Sequence, residues 1–345
     1  MKRSGVQPPL EPMEAATAEE IPVGWEWQYE PKWDGFRCLI FRNRKDVYLQ
    51  SKSKPLARYF PEVVENILQL KSQHFVLDGE LVIPIDGQLS FDALLQRLHP
   101  AASRVRKLSR ETPATFVMFD LLQNEKQNSL LDEPLFARRE QLEALAARQG
   151  QARGVLLSPA TPHVTEAKGW FGATGGGLDG IMAKLIAAPY TPGERIAMMK
   201  YKHLRTADCV VGGFRYGSGT GATSRIVASL LLGLYDTEGL LHHVGFTSAM
   251  SVEERKSLTP KLEKLILVPG FTGKAPGGPS RWNNGRASEW QPLKPSLVAE
   301  VQYDHFSGDR FRHGTGFVRW RPDKKPDACT FAQLKLARGS ALSLA

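Results

Sequence analysis

Glu30-Pro31-Lys32-Trp33-Asp34-Gly35-Phe36-Arg37 reads K-x-D-G-x-R, a lysine set just before a turn-capable Asp-Gly, with a strand behind it that returns an arginine. A lysine ammonium is a poor nucleophile until its proton is removed or its pKa is depressed, and nearby cations or metals do this. Lys32 therefore has two readings: a surface lysine beside a β-turn, or a nucleophile for an α-phosphate in a nucleotide pocket. The flanks favour strands. Phe36–Phe41 and Asp46–Gln50 are β-type runs around the polar Arg42-Asn43-Arg44-Lys45.

Outward from this point, Pro61 opens a helix with Val63, Val64, Ile67 and Leu68 on one face. Phe75–Ile83 is a strand carrying Asp78 and Glu80 inside an apolar run. Ser90 is placed as an N-cap, with Phe91, Leu94, Leu95 and Leu98 at helical spacing behind it. Thr115–Leu122 is a strand and Pro134–Gln149 a helix; Leu178–Leu185 and Ile196–Tyr201 are strands. Residues 1–24 are Pro- and Glu-rich and read as an extended arm. After Thr206, strands over Cys209–Phe214, Ser229–Tyr235, Leu240–Phe246, Leu297–Tyr303 and Gly316–Arg321, with one helix over Ser251–Leu265, suit a small barrel such as an OB-fold. The domains expected are 25–205 and 206–345.

The chain has 345 residues and a formal charge of +9, of which residues 206–345 hold +6. A basic excess favours a polyanion partner, because neutralised phosphates release counterions. A hydrophobic content of 42% excludes a disordered chain, and a mean hydropathy of −0.29 suits a soluble one. No apolar run reaches spanning length, no apolar segment follows Met1-Lys2-Arg3, and three scattered cysteines make no disulfide framework or zinc site. A cytoplasmic protein without membrane attachment is expected. The run Gly217-Ser218-Gly219-Thr220-Gly221 lacks the lysine of a P-loop and reads as a hairpin loop; His242-His243 has no partner at metal-ligand spacing.

The first domain holds further candidates. Asp179 stands in Leu178-Asp179-Gly180, Lys184 follows it, and Lys200 and Lys202 alternate on one strand face. Phe119-Asp120 closes an apolar strand. Carboxylates inside strands are expensive unless paired or metal-bound, and two of them suit Mg²⁺, which takes a few carboxylates plus phosphate oxygens. Alternating lysines suit a triphosphate, and an aromatic ring suits a base.

Taken together these elements resemble the ATP-dependent DNA ligases of the covalent nucleotidyltransferase superfamily, in their compact two-domain bacterial form. The carriers are Lys32-x-Asp34-Gly35-x-Arg37, Ser51-Lys52 where the family usually has Ser-Arg, Asp78-Gly79-Glu80, Phe119-Asp120, Asp179-Gly180 with Lys184 where Glu-Gly is usual, Lys200-Tyr201-Lys202, and Arg321-Pro322-Asp323-Lys324. The resemblance implies an α+β fold: a nucleotidyltransferase domain of ATP-grasp-like antiparallel sheets with helices, then an OB-fold barrel. It implies that Lys32 becomes adenylated from ATP, that Glu30, Arg37, Lys52, Phe119, Lys184, Lys200 and Lys202 surround the nucleotide, and that Glu80 and Asp179 hold Mg²⁺ or Mn²⁺. It implies that Arg321, Asp323 and Lys324 orient the leaving phosphates. The expected partner is nicked double-stranded DNA, with repair or end-joining proteins beside a monomeric enzyme. An RNA ligase or a capping-type nucleotidyltransferase shares the lysine and the final motif and stays open as the alternative.

Overall fold

The computed structural model describes residues 5–52, 54–149, 153–173, 178–217, 225–277 and 289–334. Residues 218–221 of the hairpin loop expected above lie outside the described residues. The chain divides into two compact units, Met1–His203 and Leu204–Lys335.

The first unit is built on two sheets. A six-stranded sheet runs in the order Val155–Leu157, Thr115–Gln123, His74–Val82, Phe36–Asn43, Asp46–Ser51, Lys54–Pro55. A four-stranded sheet runs in the order Ala16–Ala18, Met198–Lys202, Gly180–Leu185, Trp27–Lys32. Side chains alternate along Phe36–Asn43: Cys38 and Ile40 enter one core with Val63, Ile67, Leu94, Leu142 and Leu145 from the helices, while Leu39 and Phe41 enter another with Val76, Tyr190 and Met198. A strand buried on both faces reads as a near-continuous apolar run, and Phe75–Ile83 does so apart from Asp78 and Glu80.

The K-x-D-G-x-R element is not a hairpin. Trp27–Lys32 belongs to the four-stranded sheet and Phe36–Asn43 to the six-stranded one, so the chain changes sheets across Trp33-Asp34-Gly35. Gly35 is required by close approach: a Cβ there would lie 2.1 Å from the Leu81 carbonyl oxygen. Gly180 is set the same way, 2.0 Å from the Tyr201 carbonyl.

Several helices differ from the expected faces. In Phe91–Arg97, capped by Ser90, Leu94 is buried but Leu95 is 41% exposed, and Leu98, at its C-cap, is 40% exposed. Arg97 turns inward instead, held by both Glu62 carboxylate oxygens at 2.6 and 2.7 Å and by the carbonyls of Tyr59 and Thr112. Leu68 likewise faces out of the Pro61–Gln69 helix. Helices Ala102–Glu111 and Val164–Ala173 have no counterpart in the sequence reading.

The second unit is a five-stranded sheet in the order Leu241–Thr247, Val227–Tyr235, Arg205–Tyr216, Val298–Tyr303, Gly316–Trp320. All four neighbouring pairs are antiparallel, and a parallel bridge from Thr247 to Thr315, the residue before the last strand, links the two edges. This is the connectivity of a partly open OB barrel, filled by Cys209, Val211, Leu231, Val244, Val301 and Phe311. The Val252–Glu263 helix starts at a Ser251 capping box completed by Glu254. His242 pairs with Asp236 at 2.7 Å, and burial, with Arg215 nearby, pushes the His243 imidazole down to about 4. Among the described residues no helix is long and apolar enough to cross a membrane.

Candidate active site

A cleft of about 330 Å³ in the first unit is lined by residues of both its sheets. Glu30, Lys32, Arg37, Lys52, Glu80, Phe119, Lys184 and Lys200 all line it. The antiparallel registers bring them together: Lys32 lies opposite Gly180, Glu30 and Lys200 lie on either side of Met182, and Arg37 lies opposite Glu80.

Lys32 ends its strand, and its amine donates to the Asp179 carboxylate. Burial alone would depress the ammonium, but Asp179, with Glu80 and Asp34 adding to it, outweighs burial and holds it above the ordinary lysine value. The expectation of a depressed amine is thus reversed. The protonated form is favoured, and a proton must leave before nitrogen can attack. Asp179 is therefore placed first as the partner of Lys32.

Arg37 is fixed from several sides. Its Nε and Nη2 each meet an Asp78 carboxylate oxygen at 2.5 Å, and Nη2 also donates to the Met13 carbonyl at 3.3 Å. Tyr190 donates to Asp78 at 2.7 Å and accepts from the Met13 amide at 2.9 Å. Asp78 is fully buried, so this pairing meets the cost of a carboxylate inside a strand. The buried Glu30 and Lys184 pair at 2.7 Å, and Gln28 donates to the other Glu30 oxygen at 2.8 Å. Phe119 lies under both cations, with the Arg37 guanidinium 4.7 Å and the Lys184 amine 4.5 Å from its ring centre.

Glu80 stands on the cleft wall, where burial pushes its carboxyl up to about 8 although Arg37 and Lys32 pull it down. Among the described residues no three His, Cys, Asp or Glu side chains gather as a metal cage. Lys200 is pushed below the usual lysine range by burial and then by Lys32, Lys202 and Arg195. Lys202 lies opposite Gly180 on the same strand and is not among the lining residues.

Arg321, Asp323 and Lys324 lie in the second unit. Arg321 Nη1 donates to Asp208 at 2.8 Å and Nη2 to Asp323 at 2.8 Å, which holds the Asp323 carboxyl down at about 2. Lys324 approaches Asp208 at 3.4 Å.

Pro12, Met13, Glu14 and Ala15 from the N-terminal segment and Arg195 also line the cleft, and the motif reading missed all of them. Their one signal is composition: charged residues beside Pro and Gly in segments without periodicity.

Residues 12–202 match the family described as ATP dependent DNA ligase domain, and residues 223–324 match the ATP dependent DNA ligase C terminal region. DNA ligase C2 of Mycolicibacterium smegmatis is 43% identical over 346 residues, covering 95% of this chain and 95% of that protein. The multifunctional non-homologous end joining DNA repair protein LigD of Mycobacterium tuberculosis is 30% identical over 306 residues, covering 87% of this chain and 37% of that protein. Among solved structures, a Lig E DNA ligase shares the fold at 15% identity and a TM-score of 0.54, covering 90% of this chain and 99% of that one. The first family match spans the whole cleft, the second reaches the end of the barrel, and one relative aligns almost from end to end: the chain belongs to the ATP-dependent DNA ligases.

Proposed function

We propose that the cleft binds ATP, that Lys32 carries AMP between two phosphoryl transfers, and that the enzyme seals nicks in duplex DNA during repair. The observation that carries this reading is the position of the Lys32 amine. It reaches into a cleft whose walls offer an aromatic ring, a buried carboxylate and several cations.

Lys32 nitrogen attacks the α-phosphorus once its proton has left. A P–N bond forms, the bond to the β-phosphate oxygen breaks, and pyrophosphate leaves. AMP then passes from Lys32 to a 5′-phosphate at the nick, and the amine is restored. The 3′-hydroxyl attacks that phosphate, and AMP departs. Charge develops on phosphate oxygens in each step, so fixed cations aimed at them lower the barriers. Arg37, held by Asp78, supplies one of these in a fixed position, and Lys200 supplies a second. Phe119 gives the adenine a flat face, and the Glu30–Lys184 pair closes the wall beside it. Lys52 and Lys202 extend the positive field.

Glu80 fits a divalent ion, because it is a carboxyl on the cleft wall next to where phosphates would lie, and Mg²⁺ needs few protein ligands when phosphates complete its shell. Mg²⁺ or Mn²⁺ there would offset charge on the phosphate oxygens. Asp179 serves Lys32 first and reaches a metal only after that ion pair opens. Arg321 braces Asp208 and Asp323, which leaves Lys324 as the freer cation of the last motif for pyrophosphate.

Intact-mass measurement after incubation with ATP tests the reading. We expect one added AMP on the wild type and none on Lys32→Ala. Labelling by α-³²P ATP against GTP, and sealing of nicked DNA against nicked RNA, separate a DNA ligase from the capping-type and RNA-joining alternatives. Sealing by Lys32→Ala at the wild-type rate from ATP overturns the proposal.

A further inference from the structure

The N-terminal segment is stitched to the cleft. Val6 donates to Gln123, Leu10 exchanges hydrogen bonds with Gln50, Met13 is held by Tyr190 and Arg37, and Ala16–Ala18 pairs in parallel with Met199–Tyr201. The Glu14 amide donates to the Glu194 carbonyl at 2.9 Å. The Glu14 backbone is thus fixed, and its side chain meets two cations at the cleft. Oε2 accepts from Arg195 Nε at 2.7 Å, and Oε1 lies 3.5 Å from Lys52 Nζ. All three residues line the cleft. The Arg195 and Lys52 side chains are 67% and 78% exposed, so the cations are free to turn while the carboxylate stays. Arg195 also acts on Lys200, whose amine Glu14 pulls the opposite way, so the group faces the same field as the catalytic lysines.

We propose that Glu14 is an internal competitor for a substrate phosphate: its carboxylate occupies the seat between Arg195 and Lys52 that a phosphate oxyanion takes when it enters the cleft. This inference rests on the nucleotide reading above and deepens it. A carboxylate between two cations satisfies them much as a phosphate would, but with one negative charge and at exposed sites where each pair is weak. A phosphate brings more charge and more acceptor oxygens, so Arg195 and Lys52 leave Glu14 for it. Holding the cations on Glu14 keeps them folded back and limits how tightly pyrophosphate, the product, is retained. The phosphate has two possible sources in the reaction, the triphosphate of ATP or the 5′-phosphate of the nick.

The test is Glu14→Gln, which keeps the shape and removes the charge. One arm measures the rate of Lys32 labelling against ATP concentration. The other measures binding of a nick bearing a 5′-phosphate against the same nick bearing a 5′-hydroxyl. We expect the KM for ATP to fall by about threefold if the seat takes the triphosphate, or the preference for the 5′-phosphate to rise by the same factor if it takes the nick. Placed on a variant that carries both Arg195→Gln and Lys52→Gln, the change should add nothing, because the two cations that Glu14 competes for are then both gone. A KM that rises, with weaker binding of the phosphorylated nick, would mean Glu14 orients the two cations for substrate and overturns the proposal. No change in either arm overturns it too. Labelling of Lys32 at saturating ATP stands as the separate check: its loss in the wild type defeats the nucleotide reading together with this one, whereas normal labelling with an unmoved KM defeats only the competitor.

Discussion

Lys32 and Asp179 are ion-paired across neighbouring antiparallel strands, Asp179 standing one residue before the Gly180 that lies opposite Lys32. The pair holds the amine above its ordinary value, so the fraction ready to attack is small at neutral pH. Asp179→Asn removes the group that outweighs burial, and the amine pKa then falls. The alkaline rise of Lys32 labelling should therefore begin at lower pH in Asp179→Asn than in the wild type, at whatever maximum rate. Single-turnover labelling against pH decides it, and an unmoved profile would falsify the pairing as the control on Lys32. In stability terms the folded amine is raised. The pair's contribution is complete below the unfolded lysine value and is lost only as pH climbs through the raised one.

Glu80 gives the opposite sign. Its folded value, about 8, lies above the ordinary carboxylate range, so the folded protein binds this proton more tightly than the unfolded chain does. Stability in chelator should fall by about 1–3 kcal/mol as pH rises from 4.5 to 8, and Glu80→Gln should flatten that fall. Urea denaturation at both ends of the range measures it. The same variant should lose most metal-dependent sealing while staying folded. Full sealing would remove Glu80 from the metal site.

Arg97 tests the core without touching the cleft. Its side chain is fully buried against Glu62, and the carbonyls of Tyr59 and Thr112 accept from its two terminal nitrogens. Arg97→Leu leaves the Glu62 carboxylate short of its partner, and we expect about 3–5 kcal/mol of lost stability. The Lys32 labelling rate should be unchanged below the melting transition.

The last motif should split by residue. Lys324→Ala removes a cation with one loose contact, and we expect ATP labelling of Lys32 to slow at least about tenfold while pre-adenylated nicks are sealed within about threefold of wild type. Arg321→Ala also releases Asp208 and Asp323, so its second unit should melt earlier. Equal losses in both assays for Lys324→Ala would place the motif in the later steps as well.

Salt gives a simpler expectation. If the second unit's positive excess meets the phosphate backbone, log affinity for nicked duplex should fall linearly with log salt. A flat dependence in a filter-binding series would assign DNA recognition to something other than charge.

Most of the cleft was legible before any fold was known. Residue types, their spacing and the family resemblance they carry together singled out Lys32, Arg37, Glu80, Phe119, Lys184 and Lys200, which share one cleft. Strand identities were also readable, because branched and aromatic runs bounded by Gly, Pro and Asp mark strands locally. Helix faces were less so. Leu95 and Leu98 fit a helical stripe but face solvent, while Arg97 goes inside because Glu62, distant in sequence, satisfies it. The Ala102–Glu111 helix has Val105 as its single buried residue, and its charged composition offers few apolar side chains to announce it.

The sequence by itself determined which side chains could do chemistry and that two compact folds of different character follow one another, since residue types and local spacing carry that information. The tertiary structure decided how those side chains are charged and held. That the lysine is an ammonium tied to Asp179, that Asp78 serves Arg37, and that Glu14 and Arg195 belong to the cleft all follow from contacts between segments far apart in sequence. Electrostatic state depends on distance and burial, and neither is written in the spacing of a motif.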